Sequence, residues 1–274
     1  MKYFFILFLI TAFSKYSFAF SESNFEKITI NDLQIEYVDI GKGDINIVIE
    51  SGVGMGTSYW LPLLSRLDKL KQRIIIYSRA GNGNSSATQD VSIEQSNKRL
   101  HLLLTSLNAH KNILLVGHSY GGLHVREYAA LHQDQVVGLL LLDPSHEKFS
   151  QKLVELDKSW AEKDDKKLNL VLAESPEWEQ LQSIYQGKQF TDNGSIDRIP
   201  TVIVTSSKLG ESDWWIGHSA QGKAIWRDLH SSLISKNPNS IHIVSNLTGH
   251  NIPIDAPSMV ISAIIQTIGL AKGL

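Results

Sequence analysis

From about residue 28 the chain alternates short runs of β-branched residues and leucine with longer stretches whose apolar positions return at helical spacing. Two early runs, 27–30 and 33–38, flank the polar pair Asn31 and Asp32, which predicts a hairpin. Runs at 45–50, 73–77, 113–117, 136–142, 201–205 and 240–244 are compact and mostly apolar, as in strands buried on both faces. Segments 92–109, 121–132, 220–235 and 256–268 have the length and periodicity of helices. Strands alternating with helices predict an α/β fold with a mostly parallel central sheet flanked by helices. Segment 147–198 breaks the alternation. It is polar, rich in Lys, Glu and Gln, and holds no convincing strand, so a helical insertion is expected between the sixth and seventh strands. The core would then run over 20–146 and resume over 199–274. There is no internal repeat and no low-complexity tract.

The first residues read as an address. Lys2 precedes an apolar run over 3–13, Ser14 and Lys15 interrupt it, and the small residues Ser17 and Ala19 stand before Phe20. This pattern predicts a signal peptide over 1–19, removed on export to the periplasm or the exterior. The apolar run falls short of the ~20 residues that a spanning helix needs, and no later segment is long and apolar enough to cross a bilayer. Removal would delete two lysines and no acid, leaving the formal charge of −2 two units more negative.

Composition narrows the chemistry. The 274 residues, 42% hydrophobic and 20% charged, fit one soluble globular domain or at most two. Neither the net charge nor any run of like charges provides the basic field of a nucleic-acid binder. The absence of cysteine removes disulfides, thiolate metal sites, a thiol nucleophile and a lipid-modified cysteine.

Candidate chemistry concentrates at Gly117-His118-Ser119-Tyr120-Gly121, a G-x-S-x-G between a predicted strand and a predicted helix. A serine on such a tight turn takes a strained backbone, and flanking glycines let neighbouring chain approach closely. The hydroxyl would stand at the carboxyl edge of the sheet, beside the N–H groups of a helix start. Serine needs a base, and that base needs a carboxylate to fix its tautomer. Among ten histidines His250 is favoured, because Gly249-His250 lies between the last strand and the last helix. His218 is the rival; His118 should point away from the turn, and His101, His124, His132 and His230 fall on predicted helices. For the acid, Asp143 ends the strand 136–142 before Pro144 and gives the order Ser, Asp, His. Asp213, after the strand 201–205, is the alternative, and Glu211 a more distant one.

These landmarks resemble the α/β-hydrolases, the large family of serine esterases, lipases, peptidases and haloalkane dehalogenases, over residues 28–270. The elbow at 117–121, the segment 139–146 (LLLLDPSH) and Gly249-His250 occur in the family's order. Residues 77–85 (YSRAGNGNS) resemble its Y-D-R-x-G-x-G-x-S loop with Ser78 in place of the Asp, and Glu50-Ser51-Gly52-Val53-Gly54 is similar to its oxyanion loop without the usual histidine. The resemblance implies an oxyanion hole from the backbone N–H groups of Val53 and Tyr120. It favours Asp143, because Thr205-Ser206-Ser207-Lys208 has no acid at the family's seventh-strand position. It also implies a small-molecule acyl substrate, an acyl-enzyme intermediate and no metal or organic cofactor. Dehalogenase and epoxide-hydrolase activities, which need an aspartate at the Ser119 position, are not expected. Trp160, Trp178, Trp214 and Trp215 are candidates for lining an apolar acyl pocket.

Other classes remain for comparison. Gly52-Val53-Gly54-Met55-Gly56 after a strand has the look of a nucleotide-binding turn, but Thr57 leaves it without the third glycine of that fingerprint. A catalytically silent binding protein on the same fold is a second alternative, and an acyltransferase or lyase using the same three residues a third.

Overall fold

The computed structural model describes residues 25–187, 195–210 and 214–274. The expected signal peptide at 1–19 and the alternative acids Asp213 and Glu211 lie outside the described residues. Among the described residues eight strands form one sheet in the order β1-β2-β4-β3-β5-β6-β7-β8. They are β1 (Glu26–Ile30), β2 (Leu33–Ile40), β3 (Asn46–Glu50), β4 (Arg73–Tyr77), β5 (Ile113–His118), β6 (Val136–Leu142), β7 (Thr201–Ser206) and β8 (Ser240–Ser245). Strands β1 and β2 form the expected hairpin, closed where Ile30 faces Leu33. Its two turn residues, Asn31 and Asp32, have φ of 47° and 64°, the left-handed pair that a two-residue hairpin turn needs. The β2–β4 pair is antiparallel, and all pairs from β4 to β8 are parallel.

The central strands are apolar throughout because helices cover both faces, and period-two alternation sorts their side chains between two cores. Val48, Ile75, Leu115, Leu139 and Ile203 face one way. They meet Leu100, Leu103 and Leu104 of α2 (Ile93–Ser106) and Val125, Tyr128 and Ala129 of α3 (Gly121–Leu131). Their neighbours Ile49, Ile76, Val116, Leu140 and Val204 face the other core. That core also holds Leu63, Leu64 and Leu67 of α1 (Leu61–Leu67) and Val260, Ala263 and Ile264 of α9 (Pro257–Ala271). The short helix α1, with Pro62 in its first turn, is one element that the hydrophobic pattern did not set apart.

Between β6 and β7 the chain forms α4 (Phe149–Leu156), α5 (Lys158–Val171) and α6 (Pro176–Tyr185). The Asp157 carboxylate caps α5 by accepting the Trp160 N–H at 2.9 Å. After β7 come α7 (Ala220–Leu233), capped by Ser219, and after β8 the single-turn α8 (Ile252–Asp255). Among the described residues no helix is long and apolar enough to cross a membrane. Parallel strands β3, β5, β6 and β8 all release their chains at one edge, and the candidate residues of the sequence reading leave the sheet there.

Candidate active site

The turn after β5 is built as the G-x-S-x-G pattern requires. Ser119 has φ of 55°, a left-handed conformation that is costly for a non-glycine residue. Three backbone bonds hold it there: its N–H donates to Leu142 O at 3.1 Å, and its carbonyl accepts from Gly122 N at 2.9 Å and Ser145 N at 2.8 Å. A Cβ on Gly117 would stand 2.5 Å from Val125 Cγ2. One on Gly121 would stand 2.5 Å from Glu50 O. Both glycines are therefore imposed by how closely α3 crosses the strand ends.

His250, on the loop after β8, brings Nε2 to 2.9 Å from Ser119 Oγ and Nδ1 to 2.7 Å from Asp143 Oδ2. The acceptor-only carboxylate places the proton on Nδ1, so Nε2 is free to accept from the serine hydroxyl. Asp143 follows β6 with φ of 44°. Its two oxygens accept four hydrogen bonds at 2.7 Å each, from Ser206 N–H, Ser206 Oγ–H, Trp226 Nε1–H and His250 Nδ1–H. Burial alone would raise this carboxyl. The bond from His250 and the charges around it outweigh burial and hold it well below the usual carboxylate range.

Two further histidines brace the row from behind. His118 is fully buried, stacks on Tyr59 and donates from Nε2 to His250 O at 2.9 Å. His230 donates from Nε2 to Pro144 O at 2.8 Å, next to the acid, and accepts on Nδ1 from Thr205 Oγ1 at 2.7 Å. Burial pushes both imidazoles down to about 3. An unfolded histidine titrates near ~6.5, so between these values the unfolded chain binds more protons than the folded one. Stability contributed by the neutral rings is complete above pH ~6.5 and is lost as pH falls towards 3. We expect Tm to begin falling below pH ~6.5, before carboxylates titrate, and to fall less steeply in His118→Gln; a calorimetric Tm flat down to pH ~4.5 would refute this.

The loop after β3 is held on both sides of Val53. Arg79, fully buried, donates from Nη1 to Ser51 O and from Nη2 to Gly52 O, each at 2.8 Å. Beyond Val53, the Gly54 N–H donates to Glu177 Oε2 of α6 at 2.8 Å. Glu177 also takes Arg79 Nε at 2.5 Å, Arg79 Nη2 at 2.7 Å and Asn82 Nδ2 at 2.7 Å. Glu50 binds Arg79 Nη1 and the Tyr77 hydroxyl in the same buried cluster. Burial pushes the Glu50 carboxyl up against the pull of Arg79, whereas for Glu177 the Arg79 charge and hydrogen bonds overcome burial and keep it low. Among the described residues the N–H groups of Val53 and Tyr120 donate to no protein acceptor. The missing aspartate of the 77–85 loop is replaced from another strand. Glu36 of β2 accepts from Ser78 Oγ and Thr57 Oγ1, each at 2.6 Å, and from Asn84 Nδ2 at 2.5 Å.

Ser119 and His250 open into a cavity of about 230 Å3 with mainly apolar walls from α4, α5, α6 and α7. Of the tryptophans singled out in the sequence, Trp178 and Trp215 line it, while Trp160 and the half-exposed Trp214 do not. Trp226, not singled out, lines it and bonds Asp143. His218 also lines the cavity, but His250 is the ring bonded to Ser119.

A family model described as the alpha/beta hydrolase fold matches residues 45–175. Solved structures agree with it over most of the chain. A thermophilic esterase from Thermogutta terrifontis superposes with a TM-score of 0.63 at 18% identity, over 90% of this chain and 98% of its own. A bromoperoxidase from Bacillus anthracis gives 0.63 at 19%, over 89% and 99%. The chain is an α/β-hydrolase-fold protein. Among relatives by sequence, the YqjL protein of Bacillus subtilis is 28% identical over 228 residues, 82% of this chain and 83% of that protein.

Proposed function

We propose that this α/β-hydrolase is an exported serine hydrolase that cleaves a carboxylic ester of a small molecule through an acyl-enzyme. The observation that carries the reading is the unbroken row from Ser119 Oγ through His250 to Asp143, at 2.9 and 2.7 Å, opening into an apolar cavity. Ser119 Oγ attacks the carbonyl carbon while His250 Nε2 takes its proton, and negative charge moves to the carbonyl oxygen. The two undonated N–H groups, of Val53 and Tyr120, receive that oxyanion. Collapse of the tetrahedral adduct breaks the C–O bond, and His250 returns the proton to the departing alkoxide. Water, activated by the same imidazole, then releases the acid and restores Ser119. Helices α4, α5 and α6 act as a cap that keeps bulk water from the acyl group. The esterase name of the Thermogutta terrifontis protein of the same fold supports an ester as the bond. Removal of residues 1–19 and export belong to this reading on the leader pattern alone.

The test is covalent. A fluorophosphonate probe should label the mature protein at Ser119, located by peptide mass spectrometry, and 4-nitrophenyl esters of short to medium chain should compete for labelling and be turned over. Ser119→Ala should lose both. Absence of labelling and of turnover across the series would move a silent binding role to the front.

A further inference from the structure

The hydrogen-bonding positions of Asp143 are filled. A carboxylate offers about four acceptor positions, and its four bonds, from two donors of Ser206, from Trp226 and from His250, fill them. Yet Lys223 of α7 stands one residue behind, donating to Ser206 Oγ at 2.8 Å and Ser206 O at 3.3 Å. An ammonium has three donors, and these bonds use two. Lys223 is 6% exposed, and among the described residues no carboxylate lies in ion-pair contact with it. It lines the cavity that holds Ser119 and His250, the only lysine or arginine among the described lining residues. Burying a cation without a contacting counter-ion is costly, and an anion arriving at its third donor would offset part of that cost.

His218 and Asp165 also face the cavity, and among the described residues neither forms an ion pair with Lys223. Burial pushes His218, beside Lys223, down to about 4, so it is a neutral ring. Asp165 of α5 is a carboxyl pushed up by burial and by Asp164 and Glu162. Burial lowers the Lys223 ammonium, while the nearby Asp143 charge favours its protonated form. Two hydrogen bonds, through Ser206 Oγ, connect Nζ to the carboxylate that holds His250. Lys223 and Ser119 line the same cavity, so an anion on Lys223 shares that space with the bond that Ser119 attacks.

We propose that Lys223 forms an anion subsite in the cavity, and that the substrate is an ester carrying a carboxylate within a few bonds of its scissile carbonyl. The proposal rests on the serine-hydrolase reading. The carboxylate can belong to the acyl part, as in a half-ester of a short dicarboxylic acid, or to the alcohol part, as in an acylated hydroxy acid.

Two matched pairs distinguish these sources. For the acyl side, 4-nitrophenyl hemisuccinate is compared with 4-nitrophenyl pentanoate; for the alcohol side, butyrylglycolate is compared with propyl butyrate in a pH-stat. In one pair the wild type should prefer the anionic ester in kcat/KM, and Lys223→Met should reduce that preference by about tenfold or more, the worth of one charged hydrogen bond. Lys223→Arg should retain most of the preference. A Lys223→Met protein that loses both members of each pair in equal proportion would overturn the proposal, since Lys223 would then act only through Ser206 and Asp143. So would a wild type with no preference in either pair. A turnover-free measurement separates the subsite from the hydrolase reading. Millimolar succinate should raise the Tm of Ser119→Ala, and the double variant Ser119→Ala, Lys223→Met should show no rise. A rise without turnover of any ester by the wild type would uphold the subsite and reject the hydrolase. No rise at all would reject the subsite.

Discussion

Asp143→Asn should lower kcat by about 10^4-fold, with little change in KM, the loss typical when a triad base is held in the wrong tautomer. The four donors around the carboxylate dictate this result. Ser206 N–H and Trp226 Nε1–H are fixed and both address Oδ1, so an amide at this position keeps its oxygen there. Its NH2 then replaces Oδ2 and faces His250 Nδ1. The imidazole satisfies that contact by moving its proton to Nε2, where it points at Ser119 Oγ and cannot accept the hydroxyl proton. Size and shape are conserved, so the variant should remain folded and still bind ester. Stopped-flow kinetics with a 4-nitrophenyl ester checks the step, because the acylation burst should slow by the same factor as fluorophosphonate labelling. A loss of less than about tenfold would mean that His250 is oriented by something other than this carboxylate.

The second large effect belongs to a residue that never meets substrate. Glu177→Gln should lower kcat by about 10^2-fold, the loss expected when one oxyanion donor is misplaced. Val53 lies between Gly52, whose carbonyl is held by Arg79, and Gly54, whose N–H is held by Glu177. All four groups addressing Glu177 are donors, and an amide offers acceptor capacity on one side only. Asn82 can turn its amide over, but Arg79 and the Gly54 N–H cannot invert. KM for a neutral ester should change little, and affinity for a boronic acid that forms the tetrahedral adduct should fall in step with kcat. Glu177→Asp, which keeps the charge, should recover part of the rate. Arg79→Met is the harsher change, because it leaves Glu50 and Glu177 buried without their shared cation. Loss of about 3–5 kcal/mol is expected there, a large part of the ~5–15 kcal/mol that holds a domain folded. Equal Tm and equal kcat in Glu177→Gln and wild type would show that the loop holds itself.

The parts legible in the sequence were those encoded over short distances. Strand runs declared themselves because helices on both sides make every position of a central strand apolar, and the elbow because Gly117 and Gly121 are imposed by two crossings within five residues. Asp143 and His250 could be ranked because each ends a recognisable strand. The role of Glu36 was hidden, since its contact with Ser78 spans 42 positions and nothing in the β2 pattern marks it. The same holds for Glu177 and Arg79, 98 residues apart. Lys223 sat unremarked in an amphipathic helix, where a lysine is ordinarily a solvated one. Helix α1 escaped because seven residues give too few turns for periodicity to show. For Trp160 and Trp214, residue type alone could not say which way a ring would turn.

Helix α6 presents Trp178, Leu181 and Tyr185 to the cavity and Glu177 to the loop of Val53. A lineage adapting to a new ligand could reshape the cavity by point substitution at the first three without touching the bond between Glu177 and Gly54. Inserting or deleting a residue between Glu177 and the wall residues would rotate one set by about 100° relative to the other, so that the bond to Gly54 and the cavity walls could not both be kept. Selectivity can thus drift through substitutions in this segment, while changes of its length are purged unless another carboxylate takes over the anchorage. Grafting a foreign insertion onto this core would therefore bring a pocket without its rate, and the anchor would have to be transplanted along with the walls.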